Sequence, residues 1–433
     1  MADAEVLVVG GGPAGMSAAI ELARLGHGVV LVEQRAQLGG AIHRRYMGPG
    51  TSPLKVPRRH HRNWVSLERR VRDAAGRIRR LHETVFLGVD AGARFLFDDR
   101  RSGRVVAIRP RAVVLAVGAL ETVHPRPGWE IPGVVTAGGM QLQLKETGIP
   151  PAGPILVAGT GPLIVALAAQ LAALGNPPVA VLERGQPWRE GLIRPSAVFD
   201  GLRSVSMLAE AIGYGARLAR ARVPYQSGWH VAAIEAAQEG LALTCRQAGG
   251  ATRQYRVRHV ALHDGLHPHD LGLPTDDMDG IPIVKAGDCR EVLGADAALH
   301  DGVKAARMVA TRLGQPVAVD GLNHHLDAAR RTQHALAALC DAPRIPPTAD
   351  TVICRCEGLR RSDFDQLPAA ASAREIRLVG RFGMGACQGR SCAVAVAAMA
   401  GPADGSPASG GSSPVRWPLR PVSLASMAAY QED

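Results

Sequence analysis

Apolar residues along the chain fall in short β-branched blocks, each followed by a glycine turn and a longer stretch of small apolar residues. Glu5-Val6-Leu7-Val8-Val9 has the length and branching of a buried strand. It runs into Gly10-Gly11-Gly12-Pro13-Ala14-Gly15, then into the helix-like Met16 to Leu25, closed by Gly26. Val29 to Val32 predicts a second strand, ending at Glu33. The pattern recurs later: strand Pro154 to Ala158, turn Gly159-Thr160-Gly161-Pro162, helix Val165 to Leu174, strand Val179 to Leu182, then Glu183. Residues 205–222 predict an amphipathic helix, and Val231 to Ala236, Ala242 to Arg246 and Tyr255 to Leu262 predict strands. Val113 to Ala119 is another strand and turn, and Ile283 to Lys285 leads through Gly287-Asp288 to a small-residue helix, Gly294 to Ala310.

Strands alternating with helices define an α/β protein with parallel sheets. At 433 residues the chain has room for two or three domains. Hydrophobic residues make up 46%, which excludes a disordered chain, and 50 glycines with 4% aromatics suit a fold rich in tight turns. The net charge of +11 raises nucleic-acid binding. Scattered arginines with few aromatics for base stacking argue against it. Clusters such as Arg58-Arg59-His60-His61-Arg62 fit solvated faces or sites for anionic cofactors and partners. Seven cysteines, with Met1 to Ala4 passing straight into a strand and no basic leader, point to a reducing compartment, expected to be the cytoplasm. No stretch reaches the roughly 18 apolar residues of a membrane span.

The first glycine turn carries the chemistry. Strand, G-x-G-x-x-G (Gly10, Gly12, Gly15), helix, strand and acid together let the backbone approach a pyrophosphate at a helix N-terminus, while Glu33 holds ribose hydroxyls. Pro13 and Ala14 complete the turn, and Gly39-Gly40 follows six residues beyond Glu33. Asp288, at a strand end before a helix, can serve a flavin's ribityl chain. These signals resemble the FAD-dependent oxidoreductases with two dinucleotide-binding domains, in which the strand and turn ending at Gly118 return the chain to the FAD domain. The second turn (Gly159, Gly161, Glu183) is incomplete, because Ile164 stands where the third glycine belongs. Glu183 favours NAD over NADP. ATP, another adenine nucleotide, or no ligand at all remain open there. Three nearby histidines, His263, His267 and His269, suit a returning loop better than a metal site, and Cys289 is expected to pack near the flavin. No C-x-x-C occurs in this portion, which disfavours a thioredoxin-reductase-like disulfide reductase.

Four of the seven cysteines fall near the end, as Cys354-Arg355-Cys356 and Cys387 to Cys392. Four thiolates suit zinc or an iron–sulfur cluster. A C-x-C pair is tighter than the usual zinc knuckle, and no histidine lies between the pairs, so a [2Fe-2S] cluster is the better fit. Ser372 to Glu375 reads as a capping box, Gly380, Gly383 and Gly385 permit the return turns, and a helix beginning at Cys392 aims its N–H groups at the sulfurs. Helix-like His334 to Cys340 lies in a linking stretch, 315–345. A Gly-, Ser- and Pro-rich linker follows Met399, and an extended apolar tail from Arg416 is suited to dock on the flavin domain or a partner.

A flavoprotein ending in Val352-Ile353-Cys354-Arg355-Cys356-Glu357 and Gly383 to Cys392 resembles the α subunit of the heteromeric dye-linked amino-acid dehydrogenases. That group comprises opine oxidase, D-hydroxyproline dehydrogenase, L-proline dehydrogenase and cyanide-forming glycine dehydrogenase. The cysteine module is similar to the bacterioferritin-associated ferredoxin type. The resemblance implies an FAD domain (1–150 and 263–330), an inserted NAD-like domain (151–262), a [2Fe-2S] domain (345–400) and a linker with tail (401–433). It implies FAD through Gly10, Gly12, Pro13, Ala14, Gly15, Glu33, Gly40, Gly118, Gly287 and Asp288, and a cluster on Cys354, Cys356, Cys387 and Cys392. A separate flavoprotein β subunit would oxidise the amino acid, imino acid or opine, a small ferredoxin-like γ subunit sometimes joins, and this chain would relay electrons to an acceptor. Ala41 after Gly-Gly, Ile164, and the short path from Leu262 to Gly287 depart from the pattern. Two other readings follow from the residues: a self-sufficient NADH-dependent reductase, and an adenine-nucleotide-binding scaffold subunit.

Overall fold

Val6 to Val9 are buried because they form the middle of a five-stranded parallel sheet. Its order is Ile283–Lys285, Pro110–Leu115, Ala4–Val9, Val29–Val32, Ile78–Leu81. Successive side chains point to opposite faces of a strand. Val6 and Val8 accordingly pack on helices Pro13–Arg24 and Ala295–Arg312, while Leu7 and Val9 join Phe86, Phe95 and Phe97 of an antiparallel sheet, Thr84–Val89, Phe95–Asp99 and Arg104–Ile108. The computed structural model describes residues 4–90, 92–274, 277–342, 345–401 and 417–430.

A second five-stranded parallel sheet follows the order Tyr225–Ser227, Ala180–Glu183, Ile155–Gly159, His259–His263, Val134–Thr136. Helices Ala137–Thr147, Pro162–Ala173 and Val205–Arg220 cover one face, and the antiparallel meander Trp229–Ala237, Gly240–Gln247 and Thr252–Val257 covers the other. The chain crosses between the two units at one antiparallel pair, Ala119–Glu121 with Leu266–Pro268.

Two details differ from the sequence reading. The crossing lies at 119–121, so Val134–Thr136 and the helix after it sit in the second unit, where a boundary at 151 put them in the first. Three residues give too little periodicity to reveal the pairing of Val134–Thr136 with Val260 to Leu262. The run Tyr255 to Leu262 divides at Arg258, whose N–H donates to Pro154 O (2.8 Å), so the meander ends and the parallel strand begins within one apolar stretch.

Helix Asp320–Leu339 is longer than the His334 to Cys340 segment suggested. Buried Leu326 and Ala335 anchor it, and Arg330 forks onto Glu291 (2.8 Å) and Asp327 (2.6 Å). The cysteine module comprises a short hairpin, Val352–Cys354 with Leu359–Arg360, and helices Arg361–Asp365, Ala373–Leu378 and Ala393–Ala400 around Ile353, Ile376 and Phe382. The Ser372 capping box forms: Ser372 Oγ accepts from Glu375 N (3.2 Å), and Glu375 Oε2 accepts from Ser372 N (2.8 Å). The module docks on the second unit through Trp129, whose Nε1 donates to Val352 O (2.6 Å) beneath the Arg355 guanidinium.

The tail docks on the first unit. Leu419 N donates to Leu87 O (2.7 Å), and Val422, Met427 and Tyr430 pack on Leu87, Leu96 and Val105. The expected linker begins at Gly401; from 402 on, it and the first residue of the tail at 416 lie outside the described residues.

A Cβ on Gly302 would meet Ala14 O at 2.1 Å, so Gly302→Ala forces apart helices Ala295–Arg312 and Pro13–Arg24. Thermal unfolding should show a loss of about 1–3 kcal/mol. Gly76→Ala, where a Cβ meets nothing within 4 Å, should be near neutral.

Candidate functional site

The first strand ends at Gly10, whose φ of 109° and distance of 2.3 Å from a would-be Cβ to Ala116 O exclude any side chain. A Cβ on Gly15 would lie 1.8 Å from Gly10 O, so helix Pro13–Arg24 seats directly on the strand end. Gly12 caps that helix without a side chain, and Pro13 lacks an N–H. The first-turn N–H groups and the helix dipole therefore face outward as an anion site. The Gly39-Gly40 turn closes on this floor: Gly39 N donates to Gly11 O (2.8 Å), and a Cβ on Gly40 would lie 2.9 Å from Gly12 Cα.

Glu33 is buried beside the turn. Its Oε2 accepts from Gly11 N (2.9 Å) and its Oε1 from Arg35 N (3.0 Å). Burial raises its pKa, which the Gly11 and Arg35 N–H groups and the Arg44 guanidinium partly offset. Past it opens a cavity of about 320 Å³ lined by Arg35, Leu38, Gly40, Arg44 and Arg100 among others. Lys145, from the second unit, donates to Ala41 O (3.1 Å) and Ile42 O (3.3 Å), and burial pushes its pKa down to about 8. The Ala41 position is thus held through its carbonyl. Neither Lys145 nor Arg44 carries a sequence motif.

On the other side of the turn, a Cβ on Gly287 (φ 66°) would lie 2.7 Å from Ala14 Cβ, which brings Asp288 close to the helix start. Asp288 Oδ1 accepts from both Leu293 N and Gly294 N (3.0 Å each). Burial raises the pKa of Asp288; the two N–H groups oppose this and the Asp301 carboxylate adds to it. Buried Asp301 fixes the loop, accepting from Gly287 N (2.6 Å) and from Arg290. Sequence reasoning passed over Asp301; its position on the sheet-facing side of a helix gave a signal of burial but not of a partner. Cys289 is buried, donates to His269 O (3.6 Å), and its thiol is pushed up to about 11 by burial, as befits packing. Gly118 (φ 80°) accepts from His269 N (3.0 Å). A glycine floor between two carboxylates fits the pyrophosphate and the two sugar chains of FAD.

The second turn repeats the device with a cover on it. Glu183 is buried, with Oε2 accepting from Gly161 N and Oε1 from Gly185 N (2.9 Å each), and burial raises its pKa. Gly159 is held against His263 O, where a Cβ would lie at 1.7 Å. Ile164 fills the core with Leu167 and Leu171. Across the turn lies the end of helix Asp320–Leu339. Thr160 Oγ1 donates to Cys340 O (3.0 Å), and a Cβ on Gly185 would meet that carbonyl at 2.8 Å. The Cys340 thiol is pushed up to about 12 by burial and by Glu183, opposed by the Gly161 N–H that reaches it. No sequence signal tied Cys340 to residues some 180 positions earlier.

The three histidines face different partners: His263 meets Glu121 (2.6 Å), His267 meets Thr122 (2.8 Å), and His269 lies by Cys289 and Arg420.

The four late cysteines lie in two contacting pairs, Cys354 with Cys392 and Cys356 with Cys387. The Cys392 thiol and the N–H groups of Gly383, Glu357 and Cys356 hold Cys354 down to about 6. Burial raises Cys387, yet N–H groups of Ser391 and Gly389, the Ser391 hydroxyl and the Cys356 thiol bring it below its ordinary value. A Cβ on Gly385 would lie 2.3 Å from Cys356 Cβ, so only glycine lets the two loops meet. Cys392 caps helix Ala393–Ala400. Among the described residues, no three His, Cys, Asp or Glu side chains are grouped as they stand to hold a metal ion.

Fold and first turn define an FAD-type oxidoreductase: residues 4–195 match the pyridine nucleotide-disulphide oxidoreductase family. An opine oxidase subunit of Agrobacterium tumefaciens (strain Ach5) is 32% identical across 98% of this chain and 91% of its own length. Hydrogen cyanide synthase subunit HcnB of Pseudomonas aeruginosa (strain PAO1) is 30% identical across 89% of this chain and 90% of its own. The chain belongs to the family of these subunits. L-proline dehydrogenase from P. horikoshii shares the fold, with a TM-score of 0.65 at 19% identity over 98% of this chain and 79% of that one. Among the described residues no helix is long and apolar enough to cross a membrane.

Asp288→Asn keeps an acceptor for both N–H groups and removes a buried charge. Because the folded-state pKa of Asp288 is raised, its favourable contribution belongs to low pH and is lost as pH rises through that value. Flavin-free Asp288→Asn should therefore melt above wild type at pH 7, with the gap closing as pH falls toward the ordinary carboxyl range. FAD affinity should fall roughly tenfold or more, the loss of one charge-assisted hydrogen bond. Equal melting at both ends of the pH range would refute this account of Asp288.

Proposed function

We propose that this chain is the electron-transferring subunit of a heteromeric dehydrogenase or oxidase, whose partner flavoprotein subunit oxidises an amino acid, imino acid or opine. The observation that carries the reading is the pairing, in one chain, of an open glycine turn flanked by two carboxylates with a four-thiol module, while the second glycine turn lies under Cys340. The names of the relatives support it, since one is a subunit of an opine oxidase and the other a subunit of a hydrogen cyanide synthase.

Each residue has a part. Gly10, Gly12 and Gly15 let the backbone turn close, and Pro13 at the first helical position leaves the N–H groups of Ala14 and Gly15 to face a pyrophosphate. Glu33 offers acceptors to ribose hydroxyls, and Asp288, oriented by Leu293 and Gly294, does so for the ribityl chain. Gly40 and Gly118 keep side chains out of the groove. Cys354, Cys356, Cys387 and Cys392 would hold a [2Fe-2S] cluster. The fit rests on N–H groups of Gly383 and Glu357 at Cys354 and of Ser391 and Gly389 at Cys387, which favour thiolate at those two positions, while burial raises Cys356 and the Cys354 thiol together with burial raises Cys392. FAD handles electrons in pairs or singly and the cluster one at a time, so together they join two-electron oxidation to one-electron carriers. The acceptor, and a small ferredoxin-like subunit where present, would receive electrons at this end. Seven unpaired thiols suit the cytoplasm.

A self-sufficient NADH reductase needs the second turn open. The Cys340 carbonyl accepts from Thr160 Oγ1 on that turn, so NAD or ATP bound there would have to share it with the end of helix Asp320–Leu339. An adenine-nucleotide scaffold would leave the thiol module without a task.

Anaerobically purified protein should show flavin absorbance and roughly two irons per chain. Cys387→Ser should lose the iron and keep the flavin. Colourless protein with stoichiometric zinc overturns the cluster. NADH added to the isolated chain should leave the flavin oxidised; rapid bleaching would revive the reductase reading.

A further inference from the structure

Past the thiol module the chain returns to the flavin unit, and its tail brings Arg420 to the seam between the two. Trp417 packs on Gly88, where a Cβ would lie 2.7 Å from its ring, and Leu419 N donates to Leu87 O (2.7 Å). Arg420, next along, donates to His269 Nε2 (3.4 Å), and His269 N donates to Gly118 O (3.0 Å) on the flavin floor. The loop between Cys387 and Cys392 reaches the same segment from the other side. A Cβ on Gly389 would lie 3.6 Å from Leu271 Cδ2, and Arg390, at the following position, donates to Cys387 O (3.1 Å). Both arginines are half-buried.

Two guanidiniums so placed have no acid to balance them. Among the described residues neither pairs with a carboxylate. Asp270, beside His269, pairs with Lys285 (3.8 Å), and Arg100, another cation near Arg420, has Asp98 (3.6 Å). His269 supplies no charge: burial, then Arg420 and Arg390, push its pKa down to about 4, which leaves it a neutral acceptor at pH 7. Arg420 is itself lowered to about 10 by burial and by Arg390 and Arg100. Cations withdrawn from water are stable where an opposite charge faces them. The charge that offsets burial at Arg390 is the Cys387 thiolate, on its own loop.

Resting on the reading given above, we propose that Arg390 and Arg420 are the counter-charge of the four-thiolate centre and set its reduction potential, so that the docked tail tunes electron transfer. One electron entering the centre makes it more negative by one unit. A fixed positive charge beside it, partly withdrawn from water, stabilises that reduced form. Gly118, His269, Arg420, Arg390 and Cys387 are successive neighbours, which places the two cations between the flavin floor and the thiolates. Arg420 lies outside the module, thirty residues past Arg390 with the linker between them, so this charge is present only while the tail is seated.

The test is a potentiometric titration of the full chain purified anaerobically, following the cluster by electron paramagnetic resonance and the flavin by absorbance. Arg420→Gln should disfavour the reduced cluster roughly tenfold, a fall of about 59 mV in its midpoint for one electron. Arg390→Gln should lower it as much or more. Arg420→Lys keeps the charge and should titrate near wild type. Arg374→Gln removes a charge from an exposed site on the same module, where water and salt screen it, and should leave the midpoint unchanged. Should Arg390→Gln lose its iron, the Arg420 pair decides the matter, because Arg420 makes no contact with the cysteine loop's backbone. An unchanged cluster midpoint in Arg420→Gln, or an equal fall in Arg420→Lys, overturns the counter-charge and leaves the electron-transfer role standing. A wild-type chain without iron overturns both.

Discussion

Backbone touches backbone around Ala14, and that contact sets the geometry of the first site. Gly15 against Gly10 O, Gly302 against Ala14 O and Gly287 against Ala14 Cβ each leave less room than one methyl group requires. The close approach draws three segments, distant in sequence, to one point: the first turn, the Gly287-Asp288 loop and helix Ala295–Arg312. Glu33 and Asp288 come to flank one N–H-lined floor as a consequence. Both carboxylates are held by backbone N–H groups against a burial penalty, so they are set in place before any ligand arrives.

The second unit contains the same device in a closed state. Glu183 bridges Gly161 and Gly185 much as Glu33 bridges Gly11 and Arg35. Here Ile164 replaces the third glycine and joins the core, and Cys340 lies over the turn. A helix that leads into the thiol module thus also covers the second nucleotide fold. The closed fold retains a structural part, presenting Trp129 to the module.

Much of this was legible in the sequence because it is local. Strand, turn, helix and acid stand within about thirty residues at each glycine turn, and the Ser372 capping box and the helix start at Cys392 are set by neighbours three or four positions apart. What could not be read depends on partners far along the chain. Asp301 clamps Gly287 through tertiary packing, Cys340 reaches Thr160 across the fold, and Lys145 holds Ala41 from another unit. Val134–Thr136 is too short to declare its sheet, and the break at Arg258 lies inside an unbroken apolar run. The tail was readable as extended and apolar; its seat on Leu87 and Leu96 was not.

The central claim is that one polypeptide carries both a flavin and a one-electron centre. Anaerobic reductive titration of the purified chain, followed at flavin and charge-transfer wavelengths, counts the electrons it holds. The account predicts about three per chain, two in the flavin and one in the cluster. An endpoint at two, with all absorbance change belonging to flavin, would contradict it.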